Sequence, residues 1–240
     1  MNDPFPQTRW SLVIEAQNDT DSPSAKRALN ELCQAYWFPI YSYARRRGLS
    51  THDAEDSTQS FFTMLLSREA SLSISEDKGR LRAFLLTAMK HFLNSEWRKT
   101  QTQKRGGGET VFSIDLDAAE QRYDREPASK GDSPDHAFEL TWARSLLASV
   151  YSKLENYYTE SKQQTQFEKL RPFLTWGSDD QPYAEIAKEL GMSEGSVRTA
   201  VHRMRTRYRD LLKAEIRETV TTDAEAADEL AYLKRVLTQS

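Results

Sequence analysis

The 240-residue chain has one cysteine, nine glycines and eight prolines, and no apolar run approaches the ~20 residues needed to cross a bilayer. The lone Cys33 excludes an internal disulfide and a zinc site built from cysteines. Residues 1–17 contain no basic stretch followed by an apolar block, which predicts no secretory signal. We therefore expect a cytoplasmic protein with no membrane insertion, no metal and no other cofactor.

The composition is that of an ordinary globular protein with a helical bias. Charged residues make up 29% of the chain and hydrophobic residues 38%, which excludes collagen-like, mucin-like and fully disordered classes. The length suggests one or two domains, each able to bury a core. Because no alternating run or strand pair stands out, the predicted fold class is all-α, with two helical domains.

The formal net charge of −3 conceals two basic blocks. Lys78–Arg105 holds eight Lys/Arg against one acid, and Arg198–Lys213 holds six against one. Between them, Glu109–Glu139 has nine acids and three bases, and the chain from Ala214 onward has six acids and three bases. This patterning favours nucleic-acid contact at the two basic blocks, although solvated helix faces would show the same charges.

Hydrophobic spacing and breaker residues divide the chain. Helical patterns cover Ser24–Gly48, a helix capped by Ser50 or Thr51, and Leu81–Lys99. After three glycines, about 30 acidic residues with Pro and Gly indicate a flexible linker. The predicted segments are an N-terminal extension at 1–23, a helical domain at 24–105, the acidic linker at 106–136, a second helical domain at 137–213, and an acidic extension at 214–240. In the last, Ala224–Leu237 is spaced as a short amphipathic helix.

Tyr183–Met204 has the pattern of a helix-turn-helix. Small Ala187 permits close helix approach, Gly191 permits the turn, and Ser193 is placed to cap the second helix. The outward face of that second helix would enter the DNA major groove, and the arginines that follow would lie near phosphates. The predicted DNA-binding residues are Ser196, Arg198, Thr199, His202, Arg203, Arg205 and Arg207. An ordinary helical hairpin with a basic surface is the alternative.

Two segments in this order resemble bacterial sigma factors of the sigma-70 family, most closely the extracytoplasmic-function (ECF) group. Pro182–Arg209 resembles the region that reads the promoter −35 element. Asp53–Phe62 resembles the polymerase-binding helix, and Arg80–Lys99 resembles the region that reads the −10 element. The resemblance covers roughly Arg27–Leu212. It implies a sigma factor that binds core RNA polymerase and promoter DNA, helps to open the DNA, and catalyses no reaction itself.

The resemblance also implies roles for single residues. Asp53, Asp56 and Gln59 would be polar contacts to polymerase with Phe62 packing nearby, although the same acids would also suit the first turn of a helix. Unstacked bases bind aromatic faces and cationic grooves, and the loop 71–78 would form the pocket for a flipped base. The −10 candidates are Lys90, His91, Trp97, Arg98, Lys99, Lys104 and Arg105. Trp97 could instead be a core residue.

The sequence departs from the family pattern at three places. Many relatives carry Asn where this chain has His91. A long polar stretch, Glu155–Gln166, replaces a compact Leu-Pro segment at the start of the second domain. The third departure is an extension at each end, Met1–Gln17 and Thr219–Ser240. Trp10–Leu12, Lys104–Gly108 and the extension after residue 213 are similar to a subgroup abundant in planctomycetes. An anti-sigma factor or another regulator is a possible further partner.

Two other functions stay open from the residues alone. One is a self-contained helix-turn-helix regulator whose N-terminal half senses a ligand or dimerises; such a protein would bind duplex DNA without polymerase. The other is a DNA-processing enzyme, which would need a nucleophile or a metal cluster. The four histidines and Cys33 are scattered along the chain, which disfavours the enzyme.

Overall fold

The structure is a computed structural model and describes residues 23–66, 80–100, 115–126, 133–174 and 183–238. These residues form helices without a strand, so the all-α prediction is confirmed for them. None of the described helices combines the length and apolar character required to cross a membrane. The helices are α1 (Pro23–Arg46), α2 (Thr51–Leu66), α3 (Leu81–Thr100), α4 (Leu116–Arg125), α5 (Pro134–Glu160), α6 (Gln164–Leu170), a 3₁₀ turn (Arg171–Leu174), α7 (Tyr183–Leu190), α8 (Glu194–Arg217) and α9 (Asp223–Thr238).

The described residues fall into two compact units. The first unit comprises those up to Ser145 together with those from Ile216 onward, and the second comprises Leu146–Glu215. This division differs from the expected segments because the beginning of α5 and the C-terminal helix α9 belong with the first unit. The reason is that α4 and α9 contact helices that come much earlier in the chain.

Aromatic residues dominate the core of the first unit. Trp37 stacks on Tyr41 within α1 at a ring-centroid distance of 4.8 Å. Phe61 of α2 meets Phe92 of α3 edge to face, with centroids 5.9 Å apart, and Tyr43 meets Phe138 of α5 in the same way. Burying such rings gives a large hydrophobic contribution, to which edge-to-face pairs add about 0.5–1.5 kcal/mol each. The three helices that the sequence predicts in this part of the chain therefore supply this core together with Phe138 of α5.

The helix α4 lies inside the segment expected as a flexible linker, and it corrects that expectation. Asp115 caps α4, because its carboxylate accepts a hydrogen bond from the amide of Ala118 at 2.9 Å. On the opposite face, Glu120 accepts two hydrogen bonds from the Arg45 guanidinium, at 2.9 and 3.1 Å. Since the partner lies 75 residues away, the local pattern could not reveal the contact that holds this helix.

The helix α9 confirms the prediction for 224–237 and is tied to the first unit by a buried ion pair. Glu229 is fully buried and accepts hydrogen bonds from Arg82, at 2.9 and 3.1 Å. The Arg82 guanidinium also contacts Glu139 of α5 and lies 4.1 Å from the ring centroid of Tyr232. Burial raises the pKa of Glu139, and the charge of Arg82 opposes that shift. The first turn of α3 is thus fixed by residues far along the chain.

The second unit has one core beneath the helix-turn-helix. Its fully buried members come from α5, α6, the 3₁₀ turn and α8, namely Leu154, Phe167, Leu170, Phe173, Val197 and Met204, and α7 adds the buried Ile186 and Ala187. The helix α5 ends at Glu160, and two residues later Lys162 adopts a left-handed conformation with φ 57°. The amide of Gln163 donates to the Tyr158 carbonyl at 2.8 Å and that of Lys162 to the Thr159 carbonyl at 3.0 Å, which closes the helix end as in a Schellman motif.

Candidate nucleic-acid interface

The turn between α7 and α8 has the conformation that the sequence predicts. Gly191 has φ 64°, a left-handed value that favours glycine. The amide of Ser196 donates to the Ser193 hydroxyl at 3.2 Å, so Ser193 caps α8. Ile186 and Ala187 of α7 and Val197 of α8 are buried against one another in the core of the second unit. This packing sets which face of α8 reaches solvent.

The exposed face of α8 carries most of the predicted DNA-binding residues. Ser196, Arg198, Thr199, His202, Arg203 and Arg207 are all exposed. Glu194 precedes them in the first turn of α8, and no further acidic residue follows until Asp210. A helix with this pattern suits the major groove, where arginine can pair with guanine and hydroxyls can bond to either base type.

Two arginines of this face lie on aromatic rings. The Arg198 guanidinium is 4.3 Å from the centroid of the Tyr183 ring, and that of Arg207 is 3.5 Å from the centroid of the Tyr157 ring. Such contacts restrict a long side chain while leaving its N–H groups able to donate. The rings come from α7 and α5, and local spacing carries no signal for either pairing.

Arg205 differs from its neighbours on α8. It is half-buried, and its Nε donates to the carbonyl of Phe173 at 2.8 Å. That hydrogen bond links α8 to the end of the 3₁₀ turn, so Arg205 has a structural role that the sequence prediction missed. The helix-turn-helix pattern placed Arg205 with the phosphate-contacting arginines, whereas the structure directs its Nε toward the Phe173 carbonyl.

A groove of ≈ 1310 Å³ runs along the exposed face of α8 within the second unit. On the α8 side it is lined by residues of the predicted reading face, including Thr199, Arg203 and Arg207. On the other side lie Tyr157 of α5 and Gln163 at the start of α6. The groove therefore adjoins the predicted DNA surface but extends beyond the helix-turn-helix.

The −10 candidates are only partly covered by the described residues. On α3, Lys90 is half-buried and pairs with Asp135, whereas His91 is exposed. The backbone of Trp97, Arg98 and Lys99 continues α3, but their side chains lie outside the described residues. Lys104, Arg105 and the loop 71–78 lie outside them altogether.

The polymerase-docking candidates lie on α2. Asp53 and Asp56 are exposed and Gln59 is half-buried, whereas Phe62 is fully buried in the core of the first unit. Phe62 therefore offers no surface to a partner, which corrects its expected role. The Ser50 hydroxyl donates to the Asp53 carboxylate at 2.6 Å, and the Asp53 amide donates to Ser50 at 3.2 Å. The cap that the sequence predicts is thus formed, and it occupies part of the carboxylate.

The described residues offer little for catalysis. No group of three His, Cys, Asp or Glu side chains among them is arranged to hold a metal ion. Burial raises the pKa of the Cys33 thiol, and a buried thiol with a raised pKa is a poor nucleophile. These described residues therefore give no support to the DNA-processing enzyme.

The family model described as ECF sigma factor matches residues 24–214, well over half of the chain. Among curated proteins and among solved structures, no significant match was found. The matched span includes α2, α3 and the helix-turn-helix, and it ends before α9. The chain belongs to the ECF sigma factor family.

Proposed function

We propose that this protein binds core RNA polymerase, directs it to promoters through their −10 and −35 elements, and promotes opening of the DNA. The family itself implies polymerase binding and promoter-specific initiation by a factor that catalyses no reaction. The observation that carries the finer assignment is the exposed arginine- and hydroxyl-rich face of α8, the second helix of the helix-turn-helix, which Ser193 caps.

In this proposal α8 reads the −35 element. Arg198 and Arg203 are the main candidates for base contacts, because both are exposed near the N-terminal half of the helix, the part that enters the groove. Ser196, Thr199 and His202 lie on the same exposed face. Arg207 would bind phosphate, which adds affinity that weakens with salt but carries little sequence information.

The second half of α3 and the residues after it would hold the −10 element and the melted strand. His91 is exposed there, and Lys90 is close enough to the surface to exchange its contact with Asp135 for a phosphate. Trp97, Arg98, Lys99, Lys104 and Arg105 keep their proposed roles from the sequence. Stacking of an unpaired base on an aromatic ring contributes about 1–3 kcal/mol.

Asp53, Asp56 and Gln59 would contact the polymerase from the exposed side of α2. The support is the exposure of Asp53 and Asp56, with Gln59 half-buried on the same helix and Asp56 in a 3.5 Å contact with His52. An anti-sigma factor or another regulator would compete for such a surface. We place the protein in the cytoplasm, where polymerase and DNA meet, and in the planctomycete-type subgroup because of Trp10–Leu12, Lys104–Gly108 and the extension after residue 213.

The test is a pull-down of bacterial core RNA polymerase with the purified full chain, followed by run-off transcription from genomic fragments. We expect stoichiometric binding and new discrete transcripts, whose start sites locate the promoter. No binding to core polymerase together with tight binding to duplex DNA alone would contradict the proposal and identify a self-contained regulator. Core binding without transcripts would contradict the promoter-reading part.

A further inference from the structure

We propose that the turn joining α5 to α6 is a second DNA-binding element, which grips the phosphate backbone of one strand beside the recognition helix. The element consists of Tyr157, Gln163 and Gln166. It lies in the polar stretch where this chain departs from the pattern of its family. The inference rests on the proposed function, since it assumes that α8 reads DNA.

The first observation is that this turn and the reading face of α8 line one groove. The ≈ 1310 Å³ groove is bounded by Gln163 and Gln166 from α6 and its preceding turn, and by Thr199 and Arg203 from α8. A strand next to α8 would therefore contact both sides.

The charges that line the groove suit a polyanion. The α8 side contributes Arg203 and Arg207 against the single carboxylate of Asp210. The α5–α6 side contributes phenol and amide groups and no carboxylate. Glutamine amides and tyrosine hydroxyls are common donors to phosphate oxygens, so both sides favour the same ligand.

Gln163 is available for such a contact. It is exposed, and although it occupies the N-cap position of α6, its side chain makes no capping hydrogen bond. The left-handed Lys162 and the hydrogen bond from the Gln163 amide to the Tyr158 carbonyl fix the turn. The backbone thus holds the side chain at the groove without using its amide group.

Tyr157 acts as a positioning residue for Arg207. Its ring lies 3.5 Å from the guanidinium carbon of Arg207 and packs edge to face on Tyr158, with centroids 5.5 Å apart. Tyr157 is 37% exposed and is the one large apolar side chain of the described residues that reaches this level. The exposed ring holds the Arg207 guanidinium in place before DNA binds, so that its N–H groups are already positioned to donate to a phosphate.

The first experiment changes charge at the groove-lining positions beside α6. The holoenzyme made with the full chain is titrated with two labelled duplexes, one with a mapped −35 element and one in which that element is mutated. The affinity for each duplex is measured at several salt concentrations. Gln163→Glu and Gln166→Glu should weaken binding to both duplexes equally. Gln163→Lys should strengthen binding and steepen the slope of log affinity against log salt by about one.

The matched control is Thr165→Glu, which adds the same charge to an exposed position of α6 that does not line the groove. We expect it to leave the affinity nearly unchanged. Equal losses for all three glutamate variants would overturn the inference, because they would report only long-range repulsion. A loss confined to the intact −35 duplex would overturn the assignment to phosphate. Failure of the unmodified holoenzyme to transcribe would refute the proposed function instead.

The second experiment tests Tyr157 by a double-mutant cycle. Tyr157→Phe keeps the ring and should retain affinity and salt slope. Tyr157→Ala should lower the affinity and the salt slope, as Arg207→Ala does. The double variant should lose little more affinity than either single variant, because the two side chains act together. Full additivity of the two losses, or a Phe variant as weak as the Ala variant, would refute the positioning role. Thermal unfolding of each variant checks that the second unit stays folded.

Discussion

At the scale of single residues, the tasks that we propose for the exposed charges of α8 and α2 are separable. Arg198 is held over Tyr183 and Arg203 lines the groove, both in the second unit. Asp53 and Asp56 are exposed in the first unit. Since each pair is at the surface, its substitution removes an interaction with a partner without opening a cavity in a core, and binding can be measured on folded protein.

Replacing Arg198 and Arg203 by Ala should weaken binding of the holoenzyme to a promoter with an intact −35 element, by about 1–3 kcal/mol for each arginine that pairs with a base. Fluorescence anisotropy against intact and mutated elements measures the change in affinity. Arg235→Ala, an exposed arginine on α9, is the control. A decrease in affinity for core polymerase would contradict the assignment of these arginines to DNA.

Charge reversal by Asp53→Lys and Asp56→Lys should abolish or strongly weaken binding to core polymerase, because two favourable interactions become repulsive. The pull-down measures this directly. Asp117→Lys reverses an exposed charge on α4 and should leave core binding intact. Because Asp53 also takes part in the cap of α2, thermal unfolding must accompany the assay. Unchanged polymerase binding in a folded variant would refute the docking role.

At the scale of elements, α4 and α9 show how acidic segments outside the two motifs become structural parts of the first unit. Each presents a glutamate to an arginine of an earlier helix: Glu120 to Arg45, and Glu229 to Arg82. The second pair is almost completely buried. A buried charge that loses its partner is strongly destabilising, whereas exposed pairs contribute little.

Glu229→Ala should therefore lower the free energy of unfolding of the first unit by about 3–5 kcal/mol, because Arg82 stays buried with less compensation. Urea denaturation followed by circular dichroism measures the change. The control is Asp228→Ala, which removes an exposed partner of Arg80 and should cost less than about 1 kcal/mol. Similar losses for the two variants would show that α9 is held by something other than this ion pair.

The contact of Glu120 predicts sensitivity to acid. Burial pushes the pKa of Glu120 upward, but hydrogen bonds from Arg45 and Tyr41 outweigh it and hold the pKa below the ordinary 4.5. A carboxyl with a lowered pKa in the folded protein contributes stability that is complete above the unfolded pKa and is lost as pH falls through the folded one. Melting temperatures measured from neutral to acid pH should fall less steeply below pH 4.5 in Glu120→Gln; parallel curves would contradict this.

At the scale of the whole molecule, the residues proposed for polymerase binding and those proposed for −35 reading lie in different compact units. The α2 acids belong to the first unit and the α8 arginines to the second. A net charge of −3 means that attraction to DNA comes from local basic surfaces and not from the protein's overall charge. Binding to polymerase and reading of the −35 element should therefore respond to substitution independently.

This independence can be measured by combining the two pairs of substitutions. Effects at distant sites that share no partner add within about 0.3–0.5 kcal/mol. We expect the two arginine substitutions to have the same small effect on the affinity for core polymerase in two backgrounds. One is the chain that carries Asp53→Lys and Asp56→Lys, and the other is the unmodified chain. A coupling well above that range, measured by quantitative pull-down, would contradict separate tasks for the two units.

The sequence alone determined the features that depend on residues a few positions apart, namely helices, turns and helix caps. Helix periodicity, Gly191 and the Ser193 cap predict the helix-turn-helix, because turn conformation and capping involve residues a few positions apart. The same local rules placed most of the exposed residues of α8 and the cap of α2. The resemblance to the sigma factor family rested on these same segments.

Only the tertiary structure decided which side chains meet across long separations. It buried Phe62, turned Arg205 toward Phe173, and placed Tyr157 under Arg207. It also formed α4 in a segment expected to be flexible and joined α9 to the first unit through Glu229. The physical reason is that these contacts depend on partners 32 to 147 residues away in the sequence. The spacing of neighbouring residues does not show which distant side chains will meet.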